Sequence, residues 1–469
     1  MRGLLATSIG VTCAAALALP LTSPATAAAV RPAPTAEAGI ADIADTRATS
    51  LPGSTQSLPL SPLTSLTRDR ALGNADQGLS RRDVRRFSLL GVIWDDPDAE
   101  LEARVQVRTR PAGGNAWSGW QDVETHNADH GADPDTAERS SGRVRGATAP
   151  LWVGDSDGVE VRVHPDTRSR TEETGRGVRT LTAPAPLPTG LRLELVDPGA
   201  PTPTHVPVGP PRTRAVPNAE QAAVPNAQEA APAPLELPAL SRDQTSRELI
   251  SPNSPHGSES TKSRRAKPYI GPRPAIVTRR GWGADESLRE TGFRYTSTVK
   301  AAFVHHTATG NNYKCSQAPS VIRGIYRYHV RSMGWRDIGY NFLVDKCGTI
   351  YEGRAGGVTK AVMGAHTLGF NSNSMGIAVL GTFSSAKPNS ATVTAIARLT
   401  AWKLGLFGAN PKGKTYLKSG GGNLYPRGKN VRLNVISGHR DGFATECPGK
   451  QLYGKLGSAR STAAHYQGR

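Results

Sequence analysis

Cysteine is scarce in this chain, with four residues among 469. One of them, Cys13, lies in an amino-terminal segment that reads as a secretory signal. Three then remain, and an odd number cannot all pair with one another. Beyond that segment no apolar run reaches the ~18 to 20 residues a spanning helix needs, so no transmembrane segment is expected after signal cleavage. Acidic residues are in deficit, 39 Asp and Glu against 57 Lys and Arg, for a net charge of +18. Such a charge favours polyanionic partners, and solubility is the plainer explanation for it. The sequence lacks a base-stacking platform or nucleic-acid-binding motif, so no nucleic acid is expected as a partner. In an exported protein the polyanion would be an anionic wall polymer.

What is present begins with the signal. Arg2 supplies its positive end, Leu4 to Leu21 is largely apolar, and Ala25-Thr26-Ala27 offers small residues to the peptidase. Residues 1–29 are read as a signal peptide, with a retained anchor as the alternative, and the protein is expected to be secreted, either extracellular or cell-wall associated. Residues 30–83, rich in Ala, Pro, Thr and Ser without sustained periodicity, are predicted to be disordered.

Over 84–198 the texture changes to alternation: Val105 and Val107, then Val159, Val161 and Val163, then Leu191, Leu193 and Leu195, each set interleaved with polar residues. Period-two patterns indicate half-buried strands, hence a β-sandwich-like accessory domain. Trp94, Trp117, Trp120 and Trp152 either fill its core or stack on sugars, and Trp117 and Trp120, flanked by Gly114, Ser118 and Gly119, are the candidates for exposure. No catalytic constellation is visible there. Residues 199–268 are Pro and Ala rich, then polar and basic, and read as a linker that cannot bury enough apolar area to fold alone.

Residues 269–469 have the size and texture of one compact α/β domain, a mixed sheet covered by helices. Ala302-Phe303-Val304 reads as a buried strand. A helix begins at Pro319, with Val321, Ile322, Ile325 and Tyr326 as its apolar face and Gly334 as its stop. Tyr340 to Tyr351 predicts a hairpin turning at Lys346-Cys347-Gly348, and Met375 to Leu380 a short strand. A second helix, capped by Asn389 or Ser390, runs through Val393, Ile396, Leu399 and Leu404. Val431 to Ile436 is a further strand that delivers Gly438-His439. Pairing Cys315 with Cys347 and leaving Cys447 as a metal thiolate accounts for the three cysteines; two unpaired thiols are the alternative. That bridge closes a loop of about 32 residues, worth on the order of 3 to 4 kcal/mol by loop entropy.

Two stretches carry the chemistry, Val304-His305-His306-Thr307 and Gly438-His439 onward to Cys447-Pro448-Gly449. Each reads as a strand handing its last side chain to a metal. His305, His439 and Cys447 together offer three zinc ligands and leave one position open, as hydrolytic zinc sites do. By spacing alone, surface hydrogen bonding remains the alternative for His439-Arg440-Asp441.

Residues from about 274 to 460 resemble the N-acetylmuramoyl-L-alanine amidase type 2 family, and more closely the peptidoglycan recognition proteins. The resemblance is carried by Val277-Thr278-Arg279-Arg280-Gly281-Trp282-Gly283-Ala284, Val304-His305-His306-Thr307-Ala308, Gly334-Trp335-Arg336-Asp337-Ile338-Gly339-Tyr340-Asn341-Phe342, Tyr351-Glu352-Gly353-Arg354, Gly364-Ala365-His366-Thr367 with Gly369-Phe370-Asn371, Met375-Gly376-Ile377, and Gly438-His439-Arg440-Asp441 to Cys447-Pro448-Gly449. The amino-terminal module resembles, less specifically, the extra β domain of actinobacterial members.

The resemblance implies a Zn2+ ion held by His305, His439 and Cys447, with His306 a neighbour pointing into the core. It implies that the hydroxyl of Tyr340 faces the reacting water. Thr445 stands where phage-type amidases place a lysine and recognition proteins often have threonine. Some relatives carry a carboxylate on the strand that here reads Gly376-Ile377-Ala378-Val379, which leaves the general base unassigned. His366 corresponds to a residue lining the peptide groove, and Arg354 is a candidate for pairing a stem-peptide carboxylate. The implied activity is hydrolysis of the amide between N-acetylmuramic acid and L-alanine of the stem peptide by a monomer. A non-hydrolytic peptidoglycan receptor using the same groove is the alternative; such receptors commonly lose the cysteine that this chain keeps at 447.

Overall fold

The computed structural model describes residues 53–63, 76–125, 127–174, 177–200, 234–250 and 269–469. The signal peptide expected at 1–29 and most of the linker expected at 199–268 lie outside the described residues.

The amino-terminal module consists of β1 (Ser54–Pro59), β2 (Ser61–Pro62), β3 (Gln77–Trp94), β4 (Ala103–Pro111), β5 (Gln121–Val123), β6 (Gly146–Ala147) and β7 (Leu151–Pro165), then β8 (Thr167–Thr174) and β9 (Gly177–Pro184), which pair as a separate hairpin, and β10 (Arg192–Asp197). The main sheet is antiparallel throughout, in the order β1-β10-β3-β7-β4-β5, with β2 and β6 on β3. Register places Val105 opposite Val163 and Val107 opposite Val161. The alternation read in the sequence therefore gathers these valines on one face, where Leu90, Val92, Trp94, Leu193 and Leu195 join them in a single core.

Three expectations need correction. Part of the segment predicted to be disordered, 30–83, is strand: β1, β2 and the start of β3. β1 lies along β10 with Leu58 opposite Leu193, and main-chain hydrogen bonds to an existing edge ask little of side-chain periodicity. Within the linker, β11 (Glu236–Leu237) pairs with β12 (Ile276–Val277), and the following helix α1 (Arg242–Ile250) is tied down where Arg273 donates to both oxygens of Glu248. Finally, β3 and β10 are not half-exposed, because Leu89, Ile93 and Val196 on their outer face are also buried.

That outer face is covered by the carboxy-terminal domain. Its seven-stranded mixed sheet runs β11-β12-β15-β14-β16-β13-β19, adding β13 (Ala301–His306), β14 (Phe342–Val344), β15 (Ile350–Glu352), β16 (Ser374–Val379) and, after the β17 (Lys414–Lys418) and β18 (Asn430–Asn434) ribbon, β19 (Ile436–Gly438). The strand expected over 431–436 is thus divided between the ribbon and the sheet. Ala302 and Val304 of β13 pack toward α3 (Ser390–Leu406) and, beyond the short α4 (Lys450–Tyr453), α5 (Leu456–Gln467). On the opposite face the helix α2 (Ala318–Arg327), with Pro319 in its first turn, buries Val321, Ile322 and Ile325 in a cluster shared with Leu89, Ile93 and Val196 of the β domain. Burying one such side chain contributes roughly 1.5 to 3 kcal/mol, so the shared cluster joins the domains firmly. The Tyr328 hydroxyl donates to the Thr148 carbonyl at 3.1 Å. Gly91 permits that approach, since a Cβ there would lie 2.3 Å from the hydroxyl.

The Cys315–Cys347 disulfide is formed and ties the start of α2 to the β14–β15 turn. Among the described residues no helix is long and apolar enough to cross a membrane.

Candidate metal centre

β13 is the hub of the site because it is hydrogen-bonded on both sides, to β16 and to β19, all parallel. His305 stands near its end and His439 directly after the end of neighbouring β19; both are fully buried. From His439 the chain makes a single 3-10 turn and loops back, with the Arg440 amide donating to the Cys447 carbonyl at 3.1 Å. This return brings the Cys447 sulfur to 3.8 Å from His305 Nδ1. The rings of His305 and His439 lie 4.4 Å apart.

A fourth side chain, His130, joins them from the β-domain loop between β5 and β6. One ligand atom from each of His130, His305, His439 and Cys447 falls within 4.8 Å of the others. His130 Nδ1 is hydrogen-bonded to Asp129 Oδ1 at 2.9 Å, which leaves Nε2 for the cluster.

The donor set fits zinc. His130 Nε2 and both ring nitrogens of His439 are buried without a hydrogen-bond partner. Buried polar atoms seldom remain unpartnered, and a shared cation would satisfy His130 Nε2 together with one of the two nitrogens of His439. Burial holds His305 well below the usual imidazole range and His439 down to about 3, so both are neutral lone-pair donors at pH 7. The same burial pushes the Cys447 thiol up, and a cation at the site is what would make it a thiolate. Imidazole and thiolate are the ligand types of tetrahedral zinc.

Around the cluster the structure both meets and departs from expectation. His305, His439 and Cys447 are brought together, and Tyr340 joins them, its ring 5.6 Å from that of His305. Burial, with Cys447 and Asp129 nearby, holds the Tyr340 hydroxyl well above its ordinary pKa, so it keeps its proton. Thr445 is half-buried and accepts the Cys447 amide proton at 3.1 Å, shaping the ligand loop. His306 points to the other side of the strand and accepts from the Phe383 amide. His366, expected to line the peptide groove, is fully buried beside His305, with Nδ1 3.3 Å from His305 Nε2. It lies over β16, where a Cβ at Gly376 would come 2.4 Å from its ring; room for His366 is what that glycine provides. Arg354, expected to await a substrate carboxylate, is already paired. Its two terminal nitrogens donate to the two oxygens of Glu138 at 2.9 and 2.8 Å.

Asp129, His130, Asp133 and Glu138 are not legible as site residues from spacing, because they lie in a loop of the β module remote in sequence from His305 and His439. A signal existed in Asp129-His130-Gly131-Ala132-Asp133, a dense run of ligand-type residues in an otherwise apolar-patterned module. A cavity of about 1010 Å³ lies elsewhere, among Arg279, Arg323, Tyr326 and Glu352, and no expected site residue lines it. Trp117 and Trp120 are half-buried under arginines, Arg162 lying 4.2 Å from the Trp120 ring, whereas Trp94 and Trp152 are core.

Residues 295–450 match the N-acetylmuramoyl-L-alanine amidase family, and residues 43–186 the family described as Rv3811 N-terminal galactose-binding domain-like. Peptidoglycan-recognition protein SC2 of Drosophila simulans is 33% identical over 183 residues, which is 39% of this chain and 84% of that protein. Peptidoglycan-recognition protein SC1a of Drosophila melanogaster is 31% identical over 183 residues, 39% of this chain and 83% of that protein. Among solved structures, wild-type Drosophila PGRP-LB matches at 25% identity and a TM-score of 0.31, covering 39% of this chain and 92% of that one. The chain therefore belongs to the peptidoglycan-recognition protein family, with an N-acetylmuramoyl-L-alanine amidase domain following a galactose-binding-like domain.

Proposed function

We propose that the protein is an exported zinc amidase that hydrolyses the bond between N-acetylmuramic acid and L-alanine of the peptidoglycan stem peptide. The observation that carries this reading is the convergence of His305, His439 and Cys447 from two strand ends and one loop, with ligand atoms within 4.8 Å. His305, His439 and Cys447 would hold the ion. Zinc bound there supplies a Lewis acid that lowers the pKa of water toward ~7 and polarises a carbonyl.

The remaining roles belong to side chains around it. Tyr340, protonated at neutral pH, donates to the oxygen on which negative charge develops, and a fixed donor of this kind contributes about 3 to 4 kcal/mol. His366 sets the ring orientation of His305. Thr445 holds the Cys447 loop and helps orient the proton delivered to the leaving amine. Arg354 offers a planar fork for a stem-peptide carboxylate once it is free of Glu138.

The test pairs metal analysis with mass spectrometry of digested wall, using the full chain and its Glu138→Gln form, each with and without chelator. The reading expects about one zinc per chain and chelator-sensitive release of stem peptides from the Glu138→Gln form. Should the zinc-loaded Glu138→Gln form bind wall and liberate nothing, the chain is a peptidoglycan receptor.

A further inference from the structure

We propose that the loop from Asn127 to Arg139 is an internal occupant of the amidase site, in which His130 closes the fourth coordination position and Glu138 takes the guanidinium of Arg354, so that the folded chain is latent. The proposal rests on the zinc-amidase reading above.

Two independent contacts point the same way. At the metal end, His130 presents an unpartnered, buried Nε2 to a cluster that otherwise has three ligands. Its other nitrogen is fixed by Asp129 at 2.9 Å, the outer-shell carboxylate that metal-bound histidines commonly have. Asp129 Oδ2 also lies 3.5 Å from His439 Nδ1, without hydrogen-bond geometry. Three protein ligands with one free position describe a hydrolytic zinc; four protein ligands describe a structural one. At the other end, Glu138 gives Arg354 the bidentate carboxylate that a stem peptide would give it.

Between these ends the loop is pinned along the amidase domain. The Asp129 carbonyl accepts from the Leu368 amide at 3.0 Å, the Gly131 carbonyl from Asn371 Nδ2 at 2.8 Å, and Asp133 Oδ1 from the Gly369 amide at 2.8 Å. The cavity left beside His130, Tyr340, Thr445 and Cys447 is about 20 Å³. That volume admits about one water and no muramyl peptide. A loop serving only to dock two domains has no need to send an imidazole to three metal ligands and a carboxylate to the domain's one expected carboxylate receptor.

A tethered occupant competes at an effective concentration in the millimolar range or above, so opening it should raise turnover by about tenfold or more. The experiment uses the full chain loaded with Co2+, whose visible bands report coordination, as the parent protein, His130→Ala and Glu138→Gln. Azide is the probe for an open position, stem-peptide release from wall is measured on the zinc forms, and thermal unfolding verifies that each variant is folded. Expected are parent bands unmoved by azide, a shift of the His130→Ala bands that azide shifts further, and faster release by Glu138→Gln, in which the loop has lost its ion pair with Arg354 and opens more often. Parent bands that azide moves as in His130→Ala would overturn the closure at the metal. Equal release by the parent and Glu138→Gln would overturn latency while leaving the amidase reading intact. If no form releases peptide yet only His130→Ala takes azide, the amidase reading fails and the fourth ligand stands.

Discussion

Arg354 and Glu138, separated by 216 residues of sequence, face each other as a bidentate pair with both side chains less than a tenth exposed. The pair joins the galactose-binding-like domain to the amidase domain. Removing one partner of a buried pair leaves an uncompensated charge, which costs about 3 to 5 kcal/mol. Glu138→Ala and Arg354→Ala should each lower the urea midpoint accordingly, and the double variant should be less destabilised than the sum. Strict additivity in that cycle would show that the pair is not coupled.

Zinc should be inseparable from Cys447. Cys447→Ser is expected to fall from about one zinc per chain to near none after dialysis. A chelator should lower the melting temperature of the parent protein and leave that of Cys447→Ser unmoved, because a ligand stabilises only the state that binds it. Metal content by mass spectrometry and a thermal melt check both.

His366 Nδ1 lies 3.3 Å from His305 Nε2. His366→Ala should weaken zinc about 10- to 100-fold, the usual effect of losing an outer-shell partner. Competition against a chromophoric chelator measures it. His366→Gln, which can still hydrogen-bond His305, should recover part of the loss.

Replacing Cys315 and Cys347 together by Ala should cost about 3 to 4 kcal/mol, the loop entropy of a bridge of this span, read from urea unfolding with Cys447 intact. Zinc content should not change, since the bridge lies at the start of α2 and in the β14–β15 turn.

Lys403 gives stability a pH dependence. Burial brings its ammonium down to about 7 from 10.5, while Nζ donates to the Val358 and Lys360 carbonyls at 2.5 and 2.6 Å. Between those two pH values the unfolded chain carries a proton that the folded chain has lost, so stability should rise with pH across that window. Urea midpoints at neutral and alkaline pH should show the rise, and Lys403→Met should flatten it.

Much of the carboxy-terminal fold was legible from local signals. Pro319 in the first turn of α2, Gly334 with φ of +75° at the helix exit, and the turn at Lys346-Cys347-Gly348 all act through backbone restrictions that hold wherever the segment is placed. The alternating valines of β4 and β7 worked for the same reason. β1 and β11 were illegible because an edge strand is held by main-chain hydrogen bonds to a partner formed elsewhere. Val435 marks the opposite failure: one apolar run was divided between two sheets, and no periodicity announces such a break.

The strands that end at His305 and His439, and the alternation that builds the β core, were determined by the sequence itself, because both depend on neighbours a few positions away. His366 behind His305, the burial of both faces of β3, and the arrival of His130 and Glu138 at the amidase site were decided by tertiary structure alone. Those contacts depend on how two separately patterned apolar surfaces, the outer face of β3 and β10 and the apolar side of α2, cover each other. Burial of such surfaces is non-directional, so composition and pattern cannot say which loop it will carry to which site.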